Sequence, residues 1–327
     1  MMSSISHSLT AFLPVGFQFA FWALGASLVI AQPVVTDVSN SFFASPAVPS
    51  STVPSQTIAD SPRRATPSWP FTAQRGPFRF YSTLPIQHFE TQIDSLIALP
   101  KEMETALGIE LAESPIDIVV LANEREFDTY LHDRYPGLRH SSALFIQNRR
   151  SGLVLTWMHE NWLVDSRHEV VHALLHAHHV TVPLWLDEGL AEYFENGLDR
   201  TEHPVHASPL RAQLKFGRIA DLELQERWPT NMELSSEQYR DAWGTVAFFM
   251  HHSDATRQEF QLYLSDLFSD RAAGFLSYRI RRTVPRWRDA YLKHYQGESK
   301  REPAPDSESV STLSANPTIE PHSMRTR

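Results

Sequence analysis

Cysteine is absent from all 327 residues, which removes thiol catalysis, thiolate-bound zinc and disulfide bonds together. Any metal site in this chain must be built from His, Asp and Glu. Excess positive charge is missing as well. A formal net charge of -9 gives no reason to expect nucleic acid as a partner, and no internal repeat is visible. What remains is ordinary for a globular protein, 42% hydrophobic and 20% charged. The length allows one large or two small domains with a sizeable core.

The two ends lack the patterning of folded chain. Residues 11–31, AFLPVGFQFAFWALGASLVIA, are apolar and uncharged. They end on Val29-Ile30-Ala31, which is similar to a small-residue cleavage site. The preceding MMSSISHSLT has no Lys or Arg, and the apolar run is long enough to span a bilayer. Residues 1–31 therefore read as a removed signal peptide or as an uncleaved membrane anchor. Either sends the rest of the chain across a membrane, to be secreted, periplasmic or held at the membrane through residues 11–31. Residues 32–75, rich in Pro, Ser and Thr, read as a disordered linker, and 298–327 as a disordered tail.

Between these ends the pattern expects an α+β fold. Phe78–Ser82 and Ile116–Leu121 read as strands, and 87–107 and 124–134 as helices. Ala143–Gln147 and Leu153–Trp157 flank a polar turn as a β-hairpin. Helices are then expected over 162–179, 184–196, 236–252, 256–268 and 285–296. An N-terminal mixed α/β lobe over 76–200 would be followed by a helical lobe over 201–297, with a cleft between them.

The chemistry sits in His168-Glu169-Val170-Val171-His172. Residues four apart share a helix face, so both imidazoles can reach one ion. A carboxylate beside that ion can take a proton from a water molecule, the arrangement of the HExxH metallopeptidases. Val170, Val171, Leu174 and Leu175 give the same helix a buried face. A second helix follows, PLWLDEGLAEYFE, with carboxylates at Glu188, Glu192 and Glu195. Its apolar neighbours Trp185, Leu186, Leu190, Tyr193 and Phe194 bury it, and carboxylates in such surroundings need partners. Glu188 and Glu192 share a face. One can bind the ion while the other fixes the tautomer of a ligating histidine.

These paired segments resemble the gluzincins, zinc peptidases whose third ligand is a Glu on the helix after HExxH. They are especially similar to peptidase-MA-like bacterial proteins of unassigned substrate, which join HExxH to WLxEGLAEYFE. The resemblance implies a zincin-like fold and a single Zn2+ held by His168, His172 and Glu188. It implies Glu169 as general base, and leaves Glu192 to orient His168. It also gives Tyr239, near the start of a helix capped by Ser235 or Ser236, the task of hydrogen-bonding a developing oxyanion. The G-x-M-E-N motif that reads a free N-terminus in the aminopeptidase branch is absent, which argues against that specificity.

His178 is the rival third ligand, at the spacing of HExxHxxGxxH. The Gly that lets the chain turn back in that pattern is Leu175 here. His176, His178 and His179 read instead as a solvated helix end, where the macrodipole favours cationic side chains, and His159-Glu160 as turn chemistry. The expected activity is hydrolysis of a peptide or protein substrate. The strand Leu153–Trp157, if it is an exposed edge, would bind an extended peptide by β-augmentation. A non-catalytic exported scaffold with structural zinc, or a zinc hydrolase of a nonpeptide substrate, remain the alternatives.

Overall fold

The computed structural model describes residues 68–138, 140–147, 152–197, 200–269 and 271–296. The expected signal or anchor segment, most of the linker and the tail lie outside them. No helix among the described residues is long and apolar enough to cross a membrane.

The fold is α+β. Strands β1 (Phe71–Arg75) and β2 (Phe78–Ser82) form a hairpin around Gly76, whose φ of 55° suits the tight turn. The last five residues of the expected linker are thus sheet. Only Phe71 and Ala73 of β1 pack on the core, too sparse a pattern to stand out beside a Pro/Ser-rich stretch. A 3₁₀ turn over Ile86–Phe89 leads into α1 (Glu90–Leu107), which carries Pro100 inside it and ends on left-handed Gly108. Strand β3 (Ile116–Leu121) and helix α2 (Glu124–Arg134) follow, the latter capped by the Asn123 side chain. Strands β4 (Ala143–Gln147) and β5 (Gly152–Trp157) are the expected antiparallel hairpin.

The sheet order is β1-β2-β3-β5-β4. Strand β5 runs parallel to β3 on one side and antiparallel to β4 on the other. It is an interior strand, so the expectation of a free edge at Leu153–Trp157 does not hold. The edge on that side is β4, because the chain reaches β4 first and then turns inward to pair β5 with β3.

Helix α3 (Trp162–His176) lies against β4 and β5, and α4 (Leu184–Glu195) packs on it. The helical half adds α5 (Ala207–Lys215), the single turn α6 (Leu222–Gln225), α7 (Ser236–His251), α8 (Asp254–Phe268), α9 (Leu276–Thr283) and α10 (Trp287–Gln296). Three of these, α5, α6 and α9, are additions to the sequence expectation. They are short, and their few buried positions give too weak a period to read.

One apolar core joins both halves. It runs from Phe78 and Ile118 under the sheet, through Trp162 and Trp185, to Phe248 and Tyr291. A second cluster on the opposite sheet face buries Val119, Leu144 and Leu155 beneath Phe127 of α2. Helix α4 reaches α7 closely because residue 189 is glycine. A Cβ there would stand 2.7 Å from the Ala242 carbonyl oxygen and 2.9 Å from Val246.

Candidate metal centre

Helix α3 is buried along most of its length, with Val170, Val171 and Leu175 fully enclosed. That places His168, Glu169 and His172 inside the protein, each at most 5% exposed. Arg167 sets the depth of this helix. Its Nε donates to the Phe194 carbonyl of α4 at 3.0 Å, while its Nη2 meets Glu102 of α1 at 2.9 Å. The charge is buried but fully engaged, as a buried guanidinium must be.

After His176 the chain leaves the helix and turns at His179, where φ is 55°. The connection brings α4 back across α3, with Asp187 and Glu188 buried against the histidines. Oε2 of Glu188 lies 3.5 Å from Nε2 of His168 and 3.6 Å from Nε2 of His172. Nε2 of His168 and Oε2 of Glu188 are both sealed from solvent without a hydrogen-bond partner. Two unsatisfied polar atoms converging in a buried site are costly unless a further species lies between them.

The other ring nitrogens define which lone pairs are available. Nδ1 of His168 is 2.9 Å from Glu195 Oε2, and Nδ1 of His172 is 2.9 Å from Asp187 Oδ1. A carboxylate accepts, so each Nδ1 carries a proton, and once the ring is neutral each Nε2 has its lone pair directed toward Glu188. His168, His172 and Glu188 can therefore hold a metal ion in the way a carboxylate–histidine–metal arrangement requires. Asp187 is shared, its second oxygen lying 2.8 Å from Nε2 of His176. His172, His176 and Asp187 also lie close enough to hold an ion, but their short pairwise contacts are hydrogen bonds that the proton of each ring fills.

The electrostatics follow from this crowding. Burial opposes charge on both ligand histidines, yet the surrounding carboxylates outweigh it. They lift His168 well above its ordinary range and His172 to about 10. Burial likewise works against the Asp187 carboxylate, and His172 and His176 overcome it, holding that group well below the usual range. Glu169 shifts the other way. Burial raises its pKa and Glu188 adds to that, against the pull of His168, His172 and the backbone N–H of Phe145 on β4. A carboxylate whose pKa is raised by burial beside an ion site is suited to exchanging protons. Burial also raises the Tyr239 phenol, and Glu188, Glu192, Glu169 and Asp187 add to it. Tyr239 keeps its hydroxyl proton at neutral pH, and it stands on a helix whose N-terminus is capped by Ser235 in a box with Gln238.

Two sequence expectations change here. Glu195, not Glu192, meets His168. Seven residues after Glu188, position 195 returns nearly to its angle on the helix, and the longer reach along the axis matches the spacing to His168. Glu192 turns instead to His206 Nε2 at 2.9 Å and His203 Nε2 at 3.3 Å. His176 is 6% exposed and bound to Asp187, so it is not a solvated helix end. His178 stays out of the site, as expected. Its Nε2 accepts from the Ala112 backbone N–H at 3.2 Å, and its ring lies on Phe268.

Asp187, His203 and His206 are the residues that sequence reasoning passed over. Asp187 sits directly before the ligand Glu, and a His-x-x-His pair at 203 and 206 was the available signal for the others. Compared with known proteins, the chain matches no family model and no curated protein.

Proposed function

We propose that the chain is a zinc-dependent peptidase of the gluzincin type, with a zincin-like arrangement of sheet edge, α3 and α4. The observation that carries this reading is the pair of orphaned atoms, His168 Nε2 and Glu188 Oε2, beside a buried Glu169 that has no part in holding the ion. Two imidazoles and one carboxylate are a donor set suited to zinc that leaves a position open. Zinc bound by His168, His172 and Glu188 would supply a Lewis acid that lowers the pKa of a water and polarises a carbonyl.

The remaining roles belong to the chain itself. Glu169 takes the proton from the attacking water at its carboxylate and passes it to the departing amine. Tyr239 donates its hydroxyl hydrogen to the carbonyl oxygen as negative charge develops there. Asp187 and Glu195 hold the two ligand imidazoles in one tautomer throughout. Substrate reaches the site along β4, whose open side offers backbone groups to an extended peptide. The contact between Glu169 and the Phe145 amide places the base beside that edge. This reading sets the peptidase ahead of a structural zinc site, where a buried carboxylate of raised pKa has no task.

Incubation of the purified full chain with an unfolded, fluorescently labelled protein tests it. Cleavage is expected, lost on chelation and restored by zinc. A zinc-loaded chain that cleaves neither proteins nor peptides contradicts the reading.

A further inference from the structure

Behind the candidate ligands lies a second group of titratable side chains that the proposed chemistry does not use. His203 and His206 are both buried, their rings stacked with centroids 4.3 Å apart and His203 also against Trp243. Nε2 of His203 is 3.0 Å from Glu195 Oε1 and 3.3 Å from Glu192 Oε2, and Nε2 of His206 is 2.9 Å from the same Glu192 oxygen.

The proximity of Glu192, His203 and His206 fits a second ion by distance alone. The protons exclude it. Nδ1 of His203 accepts from two backbone amides, those of Val205 and His206, each at 3.2 Å. A neutral imidazole has one N–H, so a ring that accepts at Nδ1 carries its proton at Nε2. Burial opposes charge on the ring, and Glu192 and Glu195 outweigh it, pushing its pKa up to about 9. A second proton would have to sit on Nδ1, against the two amides that donate there, and would leave the one on Nε2 in place. In either state that nitrogen has no lone pair for a metal, and it donates to the carboxylates instead.

Resting on the metal reading above, we propose that His203 is a positioning residue for the metal centre: its Nε2–H fixes Glu195, which in turn orients His168 for the ion. The backbone amides of Val205 and His206 set the direction of the ring. The ring then holds Oε1 of Glu195, whose other oxygen receives the His168 Nδ1–H. Asn196 Nδ2 donates to the same Oε1 at 3.0 Å and lies 2.9 Å from His203 Nε2, so the two donors stand side by side and meet at one carboxylate oxygen. Donation to Glu192 keeps two carboxylates one turn apart on α4 from repelling Glu195 out of place. The chain segment around 203 thereby contributes to a site it does not touch.

Two substitutions separate this role from ring packing. His203→Asn keeps an oxygen near the Nδ1 position to accept the two amides but withdraws the donor from Glu195. His203→Gln places an amide N–H near the position of Nε2. Zinc affinity of the full-length wild type and both variants, by competition with a chromophoric chelator, is the readout, with thermal melts of the metal-free forms confirming folding. His203→Asn is expected to bind zinc about tenfold more weakly, at the lower end for an outer partner of a ligand, and His203→Gln within about threefold of wild type. Equal weakening of both variants would assign the effect to the lost ring, and unchanged affinity in His203→Asn would leave Glu195 independent of it. Either result overturns the proposal. Should His203→Asn not fold, His203→Gln decides, and a tenfold loss there overturns it. A wild type that binds no zinc overturns the metal reading itself, whereas a wild type that binds one ion, with unaffected variants, overturns only the role of His203.

Discussion

Oε2 of Glu188 lies 3.5 Å from Nε2 of His168, and neither buried atom has a hydrogen-bond partner. An ion between them removes both deficits at once. Glu188→Ala should therefore weaken zinc binding by more than the roughly 10- to 100-fold that loss of an outer-sphere partner costs. Equilibrium dialysis against a zinc buffer measures it. Zinc affinity unchanged in Glu188→Ala would remove α4 from the ligand set.

Glu195 and Glu192 differ by three positions and should differ in effect. Glu195→Leu removes the acceptor of His168 Nδ1–H and is expected to lower zinc affinity about 10- to 100-fold. Glu192→Leu leaves that hydrogen bond in place and should lower it by less than Glu195→Leu. The same dialysis compares them, and a larger loss for Glu192 would return it to the place behind His168.

The charge state of the ligand histidines gives a pH dependence. The folded pKa of His172 is about 10, above its ordinary 6.5. A histidine shifted upward stabilises the fold fully below about 6.5, and that stabilisation fades as pH rises through 10. The metal-free protein should thus melt at lower temperature as pH increases across this window. Zinc requires neutral imidazole, so binding at pH 7 should release protons and tighten as pH rises. Calorimetry in buffers of different ionisation enthalpy counts the protons, and a titration that releases none would contradict the assignment.

The close approach of α4 to α7 depends on Gly189. Its Cβ position meets the Ala242 carbonyl carbon and oxygen, which cannot move without shifting α7. Gly189→Ala should destabilise by about 1–3 kcal/mol, as overpacking does, and loosen the adjacent Glu188. Denaturant unfolding would show a lower midpoint, and an unchanged midpoint would mean that the two helices can separate freely.

The helices and strands with strong periods were legible in sequence. The expectation for 124–134 coincides with α2, and both hairpin strands fall where alternation and a polar turn put them. The ladder order was not legible, because no local pattern says whether β4 or β5 pairs with β3. At the site, the pattern HEVVH and the buried WLDEG run identified the three side chains whose ligand atoms converge. Their partners were harder. Choosing between Glu192 and Glu195 depends on how α4 slides along α3, which Arg167 fixes through Phe194 and Glu102 over long sequence separations. His203 and His206 arrive through a loop, where no period relates them to the helix they cover.

In the proposed mechanism Glu169 performs chemistry beside an ion it does not bind. Zinc content and cleavage of an unfolded protein, measured together for wild type and Glu169→Gln, test it most directly. One zinc is expected in each protein, with a rate about 10²- to 10⁴-fold lower in the variant, the range for loss of a general base. Equal zinc with equal cleavage, or zinc-loaded wild type without any cleavage, would contradict it.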